Sequence, residues 1–159
     1  MSKKTGGGTG SGLEGHFIDC GQPKHADTYN TTMEEIINHV RIEFKEGELV
    51  ARTIATGAKI VLEKPEKDDD ADETDIEIWR AEIKDFVRDK KSYKQALERT
   101  YGIVWKQCTQ NMKANLKALP TFEKMEGTSD LIALIEGIKS LVFNFEATKS
   151  LPDALVCAF

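Results

Sequence analysis

Cys108 is the residue whose type and setting first raise the question of chemistry. A cysteine becomes a nucleophile when a histidine, a positive charge or a helix N-terminus lowers its pKa. All three histidines lie in the first 39 residues, far from Cys108 along the chain. Val104 and Met112 stand four positions to either side, which places Cys108 on the apolar stripe of a long predicted helix, where cysteine packs as a small hydrophobe. We predict that Cys108 packs in the core and that the chain has no catalytic residue. An enzyme that uses Cys108 or Cys20 is the distant alternative.

A second group with ligand chemistry lies near the N-terminus and comprises His16, Asp19, Cys20 and His25. These residue types include zinc ligands, but their spacing matches neither C-x₂-C nor H-x₃-H. The chain has three cysteines, an odd number at wide spacing, which argues against a disulfide scaffold and indicates a reducing compartment. We therefore predict a polar turn before the first helix, with no metal site and no cofactor.

Basic residues are concentrated between positions 84 and 117, where nine lysines and arginines face three acids, a balance of +6. Several share the helix face opposite the apolar stripe, as a phosphate-binding surface would require. An ordinary solvated helix face is the competing interpretation, since no RNA-recognition aromatic motif or zinc knuckle accompanies the lysines. The candidate nucleic-acid-binding residues are Lys84, Arg88, Lys91, Lys94, Lys106, Lys113 and Lys117.

The 159 residues, 40% of them hydrophobic, are enough for one compact helical domain with a core. Residues 1–12 are rich in glycine and are predicted to form a flexible tail. Residues 13–62 form the N-terminal helical part, and 63–75 an acidic linker with eight acids against two lysines. Residues 76–159 hold a long helix and the C-terminal helices.

Capping and periodicity signals define the N-terminal helices. Thr31 and Glu34 match a capping box that would open the first helix. A shorter helix is predicted over 48–56, ending at Gly57. We expect residues 59–63 to form an extended connector, because one lone strand would have no partner.

The strongest periodicity predicts an amphipathic helix over 76–119, opened by a capping box of Thr74 and Glu77 and either continuous or bent near Gly102. A last apolar helix is predicted over 129–145. The fold class is therefore an all-α bundle of four to five helices with one long central amphipathic helix. The predicted core or interface residues are Trp79, Phe86, Tyr101, Trp105, Cys108, Met112, Phe143 and Phe145.

Neither a secretory signal nor a membrane span is predicted. The N-terminus lacks an apolar segment, and no apolar run reaches about 18 residues. We expect a cytoplasmic protein with no membrane partner and no small-molecule substrate.

Several longer segments occur in a recognisable order: GHFIDC, ADTYNTTMEEIINHV, IWRAEIKDFVRDKKSYKQALERTYGIVWKQCTQNMKANLKAL and SLVFNFEATKSLPDAL. This order resembles the Gag-like, capsid-type segment of copia-type LTR retrotransposons, most of all the diatom-type elements. The likeness covers about residues 13–155. The matching residues are Trp105, Gln107, Cys108, Thr109, Met112, Phe143, Asn144, Phe145, Lys149, Leu151 and Pro152.

The resemblance implies a helical structural protein that self-associates, ultimately into particles enclosing RNA, without enzymatic activity in this portion. Its implied partner is a second copy of itself, and RNA is a further candidate. In the family, a basic helix and further capsid helices follow LPDAL, and many Gag proteins carry a C-x₂-C-x₄-H-x₄-C zinc knuckle. The present sequence ends at VCAF and lacks the knuckle, so we expect a truncated, amino-terminal part of such a protein.

Overall fold

The computed structural model of the protein describes residues 12–143, and over this range the fold is all-α, as predicted. A sixth helix, α6, begins at 131 and is helical through 143, the last described residue. Residues 1–11 of the predicted tail over 1–12, together with Phe145 and Cys157, lie outside the described residues. The five preceding helices are α1 (His25–Glu43), α2 (Gly47–Thr56), α3 (Glu73–Gln107), α4 (Gln110–Lys117) and α5 (Phe122–Thr128).

Helix α1 begins at His25, six residues before the predicted capping residue Thr31. The predicted start is wrong because the turn around Pro23 already leads into helical backbone, with the His25 N–H donating to the Gln22 carbonyl at 3.0 Å. Thr31 is exposed inside the helix. Its neighbour Thr32 is buried and donates a hydrogen bond to the Phe17 carbonyl at 2.9 Å, which ties α1 to the N-terminal segment.

Helix α2 confirms the second predicted helix to within one residue. It ends at Gly57, whose φ of 72° lies in the left-handed region that favours glycine. The connector that follows, residues 58–72, has no regular secondary structure, as expected for 59–63.

Helix α3 begins after a capping box, but its members are Asp72 and Asp75 rather than the predicted Thr74 and Glu77. The Asp75 N–H donates to Asp72 Oδ1 at 2.8 Å, and the Asp72 N–H lies 3.4 Å from Asp75 Oδ2. Aspartate caps a helix at least as well as threonine, so the earlier pair sets the start.

The long predicted helix over 76–119 passes straight through Gly102 and ends instead at Gln107. Cys108 has an extended backbone (φ −75°, ψ 139°) and lies between two helices, not deep inside one. Thr109 then caps α4, because its side chain accepts a hydrogen bond from the Met112 N–H at 3.1 Å. This break, together with the short helix α5 that periodicity did not indicate, raises the helix count from the expected four or five to six in the described range.

Helix α6 starts two residues later than predicted. Ser129 takes a left-handed φ of 49°, which ends α5, and the Asp130 side chain accepts from the Ala133 N–H at 3.1 Å. A carboxylate at this position satisfies one of the unpaired N–H groups of the new helix.

One hydrophobic core joins every helix of the described range. Among its fully buried side chains are Ile18, Ile36, Val40, Val50, Val104, Met112, Leu116, Met125, Leu134, Ile138 and Val142. Helix α3 contributes buried residues only from Tyr93 onward. No side chain of 73–92 is buried, so about 30 Å of helix lies against little besides the connector.

Tyr93 links three elements through its hydroxyl, although its side chain is only 2% exposed. The Ile60 N–H donates to Tyr93 Oη at 3.0 Å. Thr53 Oγ1 donates to the Leu49 carbonyl at 2.7 Å, so Tyr93 must be the donor in its own short hydrogen bond with Thr53. The hydroxyl therefore connects α2, the connector and α3.

Tyr93→Phe should lower the free energy of unfolding by about 1–3 kcal/mol, because it leaves buried polar groups without a partner. Urea denaturation followed by circular dichroism measures this change. A loss below about 0.5 kcal/mol would mean that the hydroxyl does not hold the connector in place.

Candidate functional site

The N-terminal segment and the α3–α4 break form one junction, although they lie about ninety positions apart in the chain. Ile18 and Cys108 form a parallel one-residue bridge. The Ile18 N–H donates to the Gln107 carbonyl and the Thr109 N–H donates to the Ile18 carbonyl, both at 2.9 Å. Backbone groups left unpaired by the end of α3 are satisfied in this way.

Side chains reinforce the same junction. Gln107 Nε2 donates to the carbonyls of Leu13 and His16, at 3.0 Å and 2.7 Å. Asp19 Oδ1 accepts from Thr109 Oγ1 at 2.9 Å and from Asn111 Nδ2 at 3.0 Å. The junction is therefore a set of satisfied hydrogen bonds between the two segments.

Both cysteines of the junction are buried and free. Burial raises the pKa of Cys108 to about 12, with nearby Lys113 opposing the shift, and its Sγ–H donates to the Val104 carbonyl at 3.3 Å. Burial, together with the adjacent Asp19 carboxylate, also raises the pKa of Cys20. Both thiols are thus protonated near neutral pH, which is the form that does not act as a nucleophile.

The four residues considered as a metal cluster are only partly brought together. His25 is buried, and its Nδ1 accepts from the Gln22 N–H at 3.2 Å while its Nε2 lies 3.6 Å from Asp19 Oδ2. Cys20 adjoins Asp19, and the contact of His16 with the junction is through its backbone carbonyl. Over residues 12–143, no group of three or more histidine, cysteine or acidic side chains is arranged to hold a metal ion.

The Asp19 carboxyl should make the free energy of unfolding depend on pH in the acidic range. Burial disfavours its charged form, but hydrogen bonds from Asn111, the Cys20 N–H and Thr109, with His25 nearby, outweigh burial and lower the pKa of Asp19 below 3.8. A carboxyl with a lowered folded-state pKa stabilises the fold above its unfolded-state pKa and loses that contribution as pH falls.

Asp19→Asn should therefore reduce the free energy of unfolding most near neutral pH, and the difference from wild type should shrink below about pH 4. Denaturant titrations at several pH values measure it. A difference that stays constant from pH 7 to pH 3 would show that the charge of Asp19 does not contribute.

The predicted core or interface residues differ in how deeply their side chains are buried. Tyr101, Cys108 and Met112 are buried. Trp105 is half-buried, with its ring 5.6 Å from Phe122. Phe143 is 37% exposed and meets Tyr29 edge to face at 5.6 Å.

Trp79 and Phe86 lie on the first half of α3 and are half-buried. Trp79 Nε1 donates to the Pro65 carbonyl at 3.1 Å, and the Lys67 ammonium lies 5.9 Å from its ring centre. The Lys90 ammonium lies 5.8 Å from the Phe86 ring centre. Each of these two rings therefore has a lysine ammonium near one face, and Trp79 is also hydrogen-bonded to the connector.

The candidate nucleic-acid-binding residues do not share one helix face, because the break at Cys108 separates them. Lys113 and Lys117 lie on α4, and the Lys113 ammonium sits 5.6 Å from the Trp105 ring centre. The remaining five are exposed on α3: Lys84, Arg88, Lys91, Lys94 and Lys106. Arg88 is paired with Asp85 at 3.0 Å and with Asp89 at 3.3 Å.

From the sequence, Gln107 and Thr109 were identified only as residues that match the family motif and Asn111 was not named, so sequence reasoning missed that these three polar residues build the junction. The available signal was Thr109 three positions before Met112, the spacing at which a threonine caps a helix. Periodicity concealed this signal, since Val104, Cys108 and Met112 continue the apolar stripe without a gap.

Comparison with known proteins identifies no relative: no protein-family model, curated protein or solved structure matches this chain. None of the helices in the described part of the chain is long and apolar enough to cross a membrane. The class defined by the fold is an all-α protein with a long central helix.

Proposed function

We propose that this chain is a non-enzymatic structural protein of the Gag type found in copia-type retrotransposons, which acts in the cytoplasm by self-association. The observation that carries the proposal is the junction. Gln107, Cys108 and Thr109 belong to the motif that resembles Gag, and all three serve packing or hydrogen bonding to the segment 13–20. A motif used in this way favours a structural role.

The exposed first half of α3 supports self-association. Its apolar stripe contains Trp79 and Phe86, both half-buried, and Val87, which lines the same groove as Phe86, is 58% exposed. Apolar surface that a fold leaves open is typical of protein interaction sites.

Chemical cross-linking of lysines over a dilution series tests the proposal. We expect a ladder of multiples of 17.8 kDa on a denaturing gel, fading as the protein is diluted. The same reaction in urea is the control for random collisions. A single-chain band at every concentration would contradict self-association.

The protonated state of the two junction thiols supports the absence of cysteine catalysis. We expect Cys20 and Cys108 to react with an alkylating reagent at neutral pH far more slowly in the native protein than in urea, because both are buried and their pKa values are raised. Peptide mapping by mass spectrometry measures each thiol. Rapid native alkylation of Cys108 would revive the enzyme alternative.

RNA binding is the second candidate function, and one observation favours it. Arg80, Lys84, Arg88 and Lys91 are exposed at spacings of four, four and three, which places them on one side of α3. A row of cations of this kind is the electrostatic footprint of phosphate binding. Affinity for a short RNA, measured by fluorescence anisotropy, should then fall steeply between low and moderate salt. Binding that does not change with salt would argue against this function.

A further inference from the structure

The connector runs antiparallel to the first half of α3. The Ile60 N–H donates a hydrogen bond to Tyr93 Oη at 3.0 Å. Five residues later, the Pro65 carbonyl accepts one from Trp79 Nε1 at 3.1 Å. Two shallow grooves flank this packed strip, and Leu62 and Phe86 line both of them.

The first groove, which we call the basic groove, has a volume of about 680 Å³. Its charged side chains are Lys59, Lys90, Lys91 and Lys94, and no acidic residue is among the described residues that line it. Apolar side chains lie between the lysines, including Val61, which is 87% exposed, and Val87, which is 58% exposed. The basic groove therefore combines positive charge with exposed apolar side chains.

The second groove, which we call the acidic groove, has a volume of about 300 Å³. Its charged side chains are Glu63, Glu82, Asp85 and Asp89, and the described residues that line it include no lysine or arginine. Arg88 pairs with Asp85 and Asp89 from outside the lining and offsets part of their charge. Glu63 and Glu82 are exposed.

We propose that a second copy of this chain occupies both grooves, so that the basic groove of each protomer meets the acidic groove of the other about a two-fold axis near Leu62 and Phe86. This inference deepens the self-association proposed above and rests on it. Two adjacent patches of opposite sign are self-complementary under a two-fold rotation, which is the requirement for an isologous dimer. Each protomer therefore contributes one basic groove and one acidic groove to the same interface.

The charges and the apolar residues have different roles in this interface. Burial of Val61, Val87 and the half-exposed Phe86 removes apolar area from water, which favours association. The opposed charges orient the protomers and disfavour arrangements that bring like grooves together. Dimerisation should accordingly weaken as salt rises, because rim charges are screened.

Paired charge reversals test the interface by sedimentation equilibrium. A basic-groove variant (Lys91→Glu with Lys94→Glu) and an acidic-groove variant (Glu63→Lys with Glu82→Lys) change exposed residues only. Each variant alone should dimerise at least about tenfold more weakly than wild type, because like charges then face each other across the two-fold axis. An equimolar mixture should recover a heterodimer, since both of its contacts again join opposite charges.

A control matched to the basic-groove variant, Lys24→Glu with Lys124→Glu, changes the net charge by the same amount and sign at exposed positions outside both grooves and should dimerise like wild type. The interface is overturned if the mixture stays as weak as each variant alone. It is also overturned if wild type self-associates but both variants match it, a result that leaves the proposed function intact. Loss of RNA binding with unchanged mass in the basic-groove variant would assign that groove to RNA instead. Wild type that is monomeric at every concentration would remove self-association itself.

Discussion

Gly47→Ala should lower the free energy of unfolding by at least about 1–3 kcal/mol, the usual cost of overpacking a filled site. A Cβ at this position would lie 2.3 Å from the Val40 carbonyl oxygen, 2.8 Å from Arg41 Cα and 2.9 Å from the Val40 carbonyl carbon. All three are backbone atoms of the last turns of α1, so no side-chain rotation can relieve the clash. The turn between α1 and α2 must open.

Gly102→Ala is the matched control for this change. Gly102 is exposed and helical, five residues before the end of α3 at Gln107, and a Cβ there would meet no atom within 4 Å apart from the local backbone of its own helix. Alanine in a helix interior is better than glycine by roughly 0.5–1 kcal/mol, so the control should be stabilising. Urea denaturation of both variants measures the pair. If Gly47→Ala left stability within 0.5 kcal/mol of wild type, the close approach of α2 to the end of α1 would be wrong.

Met112→Ala should cost about 2–5 kcal/mol of stability, since the side chain is fully buried and its removal leaves a cavity. Met112 lies in the first turn of α4, where its N–H is also held by the capping residue Thr109. Loss of its packing should therefore loosen α4 against the core.

Met112→Leu is the control, because it keeps nearly the same volume and should cost less than about 1.5 kcal/mol. Thermal unfolding followed by circular dichroism compares the two variants with wild type. Equal losses for leucine and alanine would indicate that the thioether itself, rather than the filled volume, matters at this position.

Hydrophobic periodicity and the glycine stop signal predicted those parts of the fold that depend on local sequence. The apolar face of α3, the end of α2 at Gly57 and the all-α class all follow from residues a few positions apart. The end of α3 does not. Gln107 and Thr109 pair with Ile18, about ninety positions away, and this long-range pairing replaces the local helical bond that the periodicity implied.

The predicted starts of α1 and α3 were also wrong. Thr31 matches the sequence pattern of a helix-capping residue. The turn at Pro23 nevertheless starts α1 earlier and places Thr31 inside the helix. Before α3, only the pair Thr74 and Glu77 was identified from the sequence, whereas the observed capping box joins Asp72 and Asp75, two residues earlier.

The two grooves could not be predicted, because they form only where the connector folds back along α3. The sequence contains the acidic run before α3 and the lysines in its middle, but not the antiparallel packing that joins Ile60 to Tyr93 and Pro65 to Trp79. Charged residues that look like ordinary solvent-exposed positions in the sequence are therefore brought together as a basic groove beside an acidic groove.

Self-association is the central claim, and absolute mass in solution tests it most directly. Light scattering after size exclusion, over a range of protein concentrations and with and without added RNA, should give a mass that rises from 17.8 kDa to defined multiples of that value. Added salt should shift it back toward the single chain. A mass of one chain under every condition would contradict the account.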